Sequence, residues 1–182
     1  ENDNTDQPVS FYAATKKSNE VMAYSYSSLY KIPCTGIRFF TVYGPWGRPD
    51  MALFKFTKSI IEDKKIELFN DGKHVRDFTY IDDVSNSIIK LITKIPSYKI
   101  PYNIYNIGNS KPEKLKSFLN EIEKNLGKKS RIISKKLQKG DVYKTHANID
   151  KLVKRIDFKP VVKIKTGIKK FIEWYIDYYK IK

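Results

Sequence analysis

The sequence predicts an α/β fold, because segments with helical periodicity alternate with short apolar segments typical of strands and no internal repeat is visible. The clearest pair is a long helix over residues 11–30 followed by the apolar segment TGIRFF at 35–40, a pattern typical of a buried parallel strand. A chain of 182 residues can form one domain with a hydrophobic core, or part of a larger one.

The first helix has predictable ends. Ser10 is a suitable N-cap, since its hydroxyl can accept a hydrogen bond from a free backbone N–H of the first turn. The KIP sequence at 31–33 ends the helix, because the residue before a proline avoids helical geometry. After the strand comes TVYGPWGRPD at 41–50, whose glycines and prolines predict a long loop of the kind that often carries function.

The remaining elements follow from periodicity and from capping residues. In chain order they are a helix over 51–63, a strand over 66–69, a turn at 70–72, a helix capped by Asp82 or Asp83 and ending near 94, a strand over 103–107, a helix over 112–126 with Pro112 in its first turn and Gly127 after its end, a strand over 131–134, and a helix over 164–181 with one apolar stripe.

Composition limits the class of protein. The net charge is +15, but the lysines are scattered and arginine, the residue favoured for base and phosphate recognition, is rare beside lysine. No apolar segment approaches the ~18 residues of a membrane span, and no secretory signal is visible at the N-terminus. We therefore expect a cytoplasmic protein that binds neither nucleic acid nor membrane. A basic nucleic-acid-binding protein is the alternative, and its affinity would fall steeply with salt.

Cysteine and histidine are scarce. The single cysteine, Cys34, excludes an intrachain disulfide, and its apolar surroundings predict a buried thiol. His74 and His146 do not stand at metal-ligand spacing from each other or from Cys34, so no metal site is predicted.

Tyr12 and Lys16 are the first candidate catalytic residues. They lie four apart near the start of the long helix, which places both side chains on one face. An ammonium beside a phenol stabilises the phenolate, so a tyrosine in this arrangement can act as general base and general acid. The spacing alone is weak in a chain with 13 tyrosines, and the alternative is an exposed aromatic beside a solvated lysine.

Five motifs in order strengthen the catalytic interpretation: YAATKKSNE, RFFTVYGPWGRPDMA, RDFTYIDDV, YNIGNS and GDV. Together they resemble the extended short-chain dehydrogenase/reductase family, the NAD-dependent epimerases and dehydratases, and within it the group of UDP-glucuronate 4-epimerases. The resemblance runs from about residue 8 to the C-terminus. No G-x-G-x-x-G sequence is present, so the resemblance implies that the N-terminal, cofactor-holding half is absent from this chain and that the chain alone does not catalyse.

The resemblance assigns roles around the sugar. Tyr12 would deprotonate the sugar 4-hydroxyl, while Lys16 would hydrogen-bond the nicotinamide ribose; Tyr12, Lys16 and Phe39 would contact NAD, which is regenerated in each cycle. Thr41 would lie beside the sugar, or simply close a strand. Arg48 would grip the carboxylate of a uronic acid with two parallel hydrogen bonds and hold it in a rotamer that resists decarboxylation, or would be a solvated loop residue.

The resemblance also assigns the nucleotide contacts. Arg76 would bind the UDP diphosphate, Asp77 would orient that arginine, and Asp141 would accept a hydrogen bond from the uridine ribose. Uracil contacts would lie near Phe54 and at 68–69, with Phe69 the candidate, although apolar residues there could equally be core.

The resemblance implies two domains and a homodimer. Residues 1–50 would end the NAD(P)-binding Rossmann-like domain, and residues 51–182 would form mainly a small α/β substrate-binding region, with about 70–95 returning to the first domain. The first helix would form the dimer interface through Met22, Tyr26 and Leu29, which lie on one stripe, unless these residues are core.

The leading hypothesis is therefore NAD-dependent 4-epimerisation of a UDP-sugar acid through a 4-keto intermediate. The enzymatic alternatives are a 4,6-dehydratase, a decarboxylase or an epimerase of neutral UDP-sugars in the same family. A non-catalytic alternative is a UDP-sugar-binding or oligomerisation piece, which would bind UDP without turnover.

Overall fold

A computed structural model describes residues 1, 3–137 and 141–181 and confirms the predicted α/β class. In this part of the chain the helices are α1 (Phe11–Tyr30), α2 (Ala52–Ile61), α3 (Ile81–Ile92), α4 (Leu115–Leu126), α5 (Asp150–Ile156) and α6 (Ile164–Tyr178). The strands are β1 (Cys34–Phe39), β2 (Thr41–Tyr43), β3 (Lys65–Phe69), β4 (Val75–Arg76), β5 (Phe78–Tyr80), β6 (Tyr102–Ile107), β7 (Glu113–Lys114) and β8 (Arg131–Lys135). None of these helices is both long enough and apolar enough to cross a bilayer.

The long helix α1 has the predicted ends. The Ser10 side chain accepts a hydrogen bond of 3.1 Å from the Ala13 amide, and Lys31 leaves the helix in the left-handed conformation. The prediction of Gly127 after α4 is also confirmed, since Gly127 adopts a φ of 64°, which suits glycine.

The strands pair two by two. β1 pairs with β6, β2 with β5 and β3 with β8, all in parallel, and β4 pairs with β7 in antiparallel fashion. The predicted loop at 41–50 is therefore wrong for its first three residues, which form β2 opposite Phe78–Tyr80. β4, β5 and α5 were not predicted, because these elements span only two, three and seven residues and show little periodicity of their own.

Three smaller predictions are wrong. Asp82 and Asp83 do not cap α3; they lie in its first turn, and Asp83 instead accepts hydrogen bonds from the amides of Val161 (3.1 Å) and Val162 (2.9 Å). Pro112 precedes β7 rather than opening α4, because residues 113–114 are taken into a strand pair. Cys34 is half-buried rather than buried, since it begins β1 near the surface.

Two apolar cores lie side by side. The larger core packs α2, α4 and α6 around β3 and β5, with Phe78 and Phe118 stacked 4.0 Å apart at ring centroids. The smaller core packs α3, β6 and α5, with Ile107 and Ala147 fully buried and Ile37 of β1 against them. The fold thus divides its apolar residues between two centres.

A buried carboxylate lies between these cores. Asp77 is fully buried, and its oxygens accept hydrogen bonds from the backbone amides of Asn109 (2.7 Å), Ser110 (3.0 Å) and Ala147 (2.9 Å). Its own carbonyl accepts the Thr41 amide at 3.0 Å. One residue therefore holds three other segments of backbone.

Gly108 makes this junction possible. A β-carbon at position 108 would collide with the Ala147 β-carbon and would lie 3.3 Å from the Phe40 ring and 3.4 Å from Asp77 Oδ1. Close approach of three segments requires a residue without a side chain here.

An ion pair joins α1 to β1. Arg38 donates from Nε and Nη2 to the two carboxylate oxygens of Glu20, at 2.6 and 2.7 Å, and the side chains of Arg38 and Glu20 are 25% and 21% exposed. The Tyr102 hydroxyl of β6 also donates to the Glu20 carbonyl at 3.2 Å. The hydrogen bonds from Arg38, with the charges of Arg38 and Lys17, hold the pKa of Glu20 below its usual value.

Asp77→Ala should lower the free energy of unfolding by at least about 3 kcal/mol, because three amide donors lose their acceptor and each unmatched buried donor costs about 1–3 kcal/mol. Urea denaturation followed by far-UV circular dichroism measures this change. Asp82→Ala is the matched control, since its carboxylate is 59% exposed, and it should stay within about 0.5 kcal/mol. Equal stability of the two variants would contradict the role given to Asp77.

Glu20→Gln should destabilise the chain by about 1–2 kcal/mol at pH 7, since it removes a charge-assisted, two-bond contact. The Glu20 pKa is lowered by folding, so this stabilisation is fully present above the unfolded pKa and is lost as pH falls through the folded one. The difference between variant and wild type should therefore shrink below pH ~4.5. A difference that is the same at pH 7 and pH 3 would show that the pair contributes no charge interaction.

Candidate functional site

The Tyr12 and Lys16 side chains lie together on one face of α1, as predicted. Lys16 Nζ lies 5.5 Å from the centroid of the Tyr12 ring. Both residues are exposed, and Tyr12 retains 71% of its accessible surface. The ammonium and the phenol are thus neighbours on an open surface, where a ligand can reach them.

The Glu20–Arg38 pair fixes where this face lies relative to β1. Tyr12 lies eight residues before Glu20 on α1, about 12 Å along the helix axis. The pair therefore fixes the distance between the Tyr12 face and the point where α1 is joined to β1.

Phe39 lies at the carboxyl end of β1. It is the last residue of β1, is 52% exposed, and pairs in register with Ile107, the last residue of β6. The carboxyl ends of the two parallel strands are therefore side by side. Ligands of open α/β sheets bind at that edge.

Thr41 and Arg48 line one cleft, which Gly44, Met51 and Phe118 help to form. The Arg48 side chain is 74% exposed, with Nε 3.4 Å from Asp50 Oδ1 and one terminal nitrogen 3.4 Å from the Met51 sulfur. An ion pair this exposed is weak. The guanidinium can therefore exchange Asp50 for an anionic ligand in the cleft.

Tyr43 also lines this cleft, but it is not a candidate base. It is 5% exposed, and burial, with smaller contributions from Tyr80 and Asp83, raises its pKa well above the usual value for a phenol. Tyr43 therefore stays a neutral phenol, in contrast to the open position of Tyr12.

Arg76 and Asp141 form an ion pair, with Arg76 Nη2 2.8 Å from Asp141 Oδ1. Arg76 Nη1 donates to the carbonyls of Val75 and Tyr143, and the buried His74 places Nε2 3.2 Å from Asp141 Oδ2. The two residues predicted to contact UDP are thus adjacent. Their roles toward a nucleotide remain predictions.

Asp77 does not orient Arg76, contrary to expectation. Its carboxylate oxygens are occupied by the amides of Asn109, Ser110 and Ala147, so the arginine is held by Asp141 and by backbone carbonyls instead. No local pattern predicts these bonds, because the amides come from residues more than 30 positions away.

The proposed uracil contacts separate into core and surface. Phe54 and Leu68 are 6% and 2% exposed and belong to the larger core, so they are not open to a ligand in this structure. Phe69 is half-buried and lines a depression with Ala52, Lys55 and Glu67. Phe69 remains the candidate.

Glu20 and Trp46 are not among the predicted site residues. Glu20 continues the four-residue spacing of Tyr12 and Lys16, which is a signal for the same helix face. Trp46 lies in the loop at 44–50 and packs against Trp174 and Tyr178 of α6. These contacts join residues more than 120 positions apart, so no local pattern predicts them.

Within residues 1, 3–137 and 141–181, no group of three or more histidine, cysteine, aspartate or glutamate side chains is arranged to hold a metal ion. The candidate site therefore consists of a tyrosine and lysine on α1, a threonine and arginine in a cleft, and an arginine–aspartate pair beside Asp77.

The chain is similar to a known protein family and to known proteins. The profile described as "NAD dependent epimerase/dehydratase family" matches residues 1–108. Protein CapI of Staphylococcus aureus is 52% identical over 98% of this chain and 58% of its own length. A probable UDP-glucuronate 4-epimerase of Rhizobium meliloti is 43% identical over 99% of this chain and 57% of its own length. The chain thus spans less than three fifths of these relatives.

A comparison with solved structures agrees. UDP-glucuronic acid 4-epimerase from Bacillus cereus, solved with UDP-glucuronic acid and NAD, superposes with a TM-score of 0.88 and 32% identity, over 95% of this chain and 55% of that one. MoeE5, solved with UDP-glucuronic acid and NAD, superposes with a TM-score of 0.89 at 24% identity, which supports the fold alone.

Proposed function

The chain belongs to the NAD dependent epimerase/dehydratase family, and from this premise we propose that it forms the catalytic helix and the nucleotide-sugar-binding region of a UDP-uronate 4-epimerase. The whole protein would interconvert UDP-glucuronate and UDP-galacturonate through a 4-keto intermediate. The observation that carries this proposal is the pairing of Tyr12 and Lys16 on an open face of α1.

Tyr12 is the proposed base and acid. Its phenolate takes the proton of the sugar 4-hydroxyl and returns it after the sugar has turned, and Lys16 favours the phenolate by its charge. Bound NAD would accept the hydride from C4 and return it to the opposite face. Tyr12, Lys16 and Phe39 fit this cofactor, because all three are exposed and Phe39 lies at the carboxyl end of β1, the edge of the sheet where such ligands bind.

Arg48 is the proposed group for the sugar carboxylate, with Thr41 beside the sugar. Both line one cleft, and the only charged partner of Arg48 within the described residues is the exposed Asp50. A guanidinium can hold a carboxylate by two parallel hydrogen bonds. At the 4-keto stage the sugar is a β-keto acid, so a fixed carboxylate also limits loss of CO₂.

Arg76, Asp141 and Phe69 are the proposed nucleotide contacts. Arg76 would bind the diphosphate, Asp141 a ribose hydroxyl, and Phe69 the uracil. The Arg76–Asp141 pair supports this, because it holds a cation and an acceptor side by side near the surface. Isothermal titration of this chain with UDP tests the assignment, and UDP affinity unchanged in Arg76→Gln would contradict it.

We propose that the two cores correspond to two domains. The smaller core, with α3, β6 and α5 beside β1, would belong to the cofactor domain together with residues 1–50, and the larger core would be the nucleotide-sugar domain. A homodimer through α1 is proposed as well, since Met22, Tyr26 and Leu29 are 55%, 60% and 69% exposed on one helix. A monomer in sedimentation equilibrium at micromolar concentration would contradict the dimer.

Tyr12→Phe in the whole protein should lower kcat by about 10²- to 10⁴-fold, because the general base is lost, while the affinity for UDP-glucuronate changes little. Chromatographic separation of UDP-glucuronate from UDP-galacturonate measures turnover. Tyr24→Phe, the same chemical change on the same helix, is the control and should keep wild-type kcat. Wild-type turnover by the Tyr12 variant would refute the catalytic assignment.

Arg48→Gln should weaken UDP-glucuronate binding by about 10- to 100-fold, the worth of a charge-assisted hydrogen-bonded pair, and should leave UDP-glucose binding within about threefold. It should also release some UDP-pentose, since the carboxylate is no longer fixed. Arg131→Gln removes an equally charged, 57% exposed side chain on β8 and serves as control. Unchanged affinity for the sugar acid together with absence of UDP-pentose would reject the role of Arg48.

A further inference from the structure

The side chain of Trp46 joins the loop at 44–50 to the C-terminal helix α6. The Trp46 ring lies 5.2 Å from the Trp174 ring and 5.0 Å from the Tyr178 ring, centroid to centroid, and Trp174 and Tyr178 stack on each other at 5.4 Å. Aromatic pairs at such distances attract beyond their buried area. Trp174 and Tyr178 lie one turn apart on α6, so together they form a platform for Trp46.

The backbone of Trp46 adopts an unfavourable conformation. Its φ is 62°, a left-handed conformation that is unfavourable for any residue with a side chain. Trp46 is also 73% exposed, so burial of its ring contributes little. The contacts with Trp174 and Tyr178 are what offsets the strained conformation.

The same loop carries Arg48. Backbone hydrogen bonds between residues three apart hold the loop together. The Gly47 amide donates to the Gly44 carbonyl at 3.2 Å, and the Met51 amide donates to the Arg48 carbonyl at 3.1 Å. The polar contacts of the Arg48 side chain, to Asp50 and Met51, lie within or next to the loop. The position of the loop on α6 therefore sets the position of the guanidinium in the cleft.

We propose that Trp46, seated on Trp174 and Tyr178, is a positioning residue that determines selectivity for UDP-sugar acids over neutral UDP-sugars. This inference rests on the proposed role of Arg48. When the Trp46 ring leaves Trp174 and Tyr178, Arg48 leaves the cleft wall. The apparent affinity for the acid is then the intrinsic affinity multiplied by the fraction of molecules whose ring remains in place. A neutral UDP-sugar makes no ion pair with Arg48, so its affinity stays the same.

The seat can be observed without any activity. Trp46 and Trp174 are the only tryptophans of the chain, and two indoles this close should give an exciton pair of bands in the far-UV circular dichroism spectrum. Tyr178→Leu, which removes one half of the platform, should weaken these bands. Tyr179→Leu is the matched control, because Tyr179 has similar exposure (47% against 50%) and packs on Phe54, Tyr175 and Tyr178 rather than on Trp46.

Selectivity is then measured on the whole protein by titration with UDP-glucuronate and with UDP-glucose. Tyr178→Leu should lower the affinity ratio of acid to neutral sugar about 3- to 10-fold, the worth of one aromatic contact, with the melting temperature close to that of Tyr179→Leu. Trp46→Leu should lower the ratio further. Tyr178→Phe should restore the wild-type ratio, since the ring alone forms the platform.

The outcomes separate the two proposals. Absence of exciton bands in the wild-type chain, or bands unchanged by Tyr178→Leu, would overturn the seat whatever the enzyme does. Weakened bands with an unchanged affinity ratio would overturn its role in selectivity. Absence of epimerisation by a wild-type protein that still prefers the acid, and loses that preference in Tyr178→Leu, would refute the proposed reaction and leave the positioning role standing.

Discussion

The structure depends on one buried carboxylate. The Asp77 carboxylate accepts hydrogen bonds from three backbone amides in two other segments. The two apolar cores meet around it, because its neighbour Phe78 belongs to the larger core and its donor Ala147 belongs to the smaller. A carboxylate without these donors would not be tolerated at full burial. The cores are therefore joined by polar bonds whose geometry is specific, and apolar contact alone would not define their register.

This junction also explains where the candidate site lies. Arg76 precedes Asp77 in sequence, and the Thr41 amide is bonded to the Asp77 carbonyl, so residues predicted to face the two ends of the substrate are fixed by the same residue. The Glu20–Arg38 pair does the same for α1, the helix that carries Tyr12 and Lys16, by joining it to β1. Sites between two packed units are common, because each unit contributes rigid groups to a shared cleft.

Local signals made part of this predictable from sequence. Three predicted features of α1 are confirmed: the cap at Ser10, the shared face of Tyr12 and Lys16, and the end of the helix at Lys31. Each depends on residues within one or two helical turns. The strands β2 and β5 were missed, because each gains its structure from a partner 37 residues away. Asp77 and Asp83 were predicted to interact with residues close in sequence, but their amide donors lie 32 to 79 residues away. A carboxylate predicts a hydrogen-bond acceptor, but it does not predict which distant amide will bind to it.

Gly108 shows how indirectly such a site can be damaged. The space at that position is already filled by Ala147, Phe40 and a carboxylate oxygen, so even one added methyl group must move a segment of backbone. The motion would pass through Asp77 to the strand ends, although no atom that meets a ligand has been altered. A coding change at this glycine would thus disturb the candidate site while every group in the proposed chemistry remained intact.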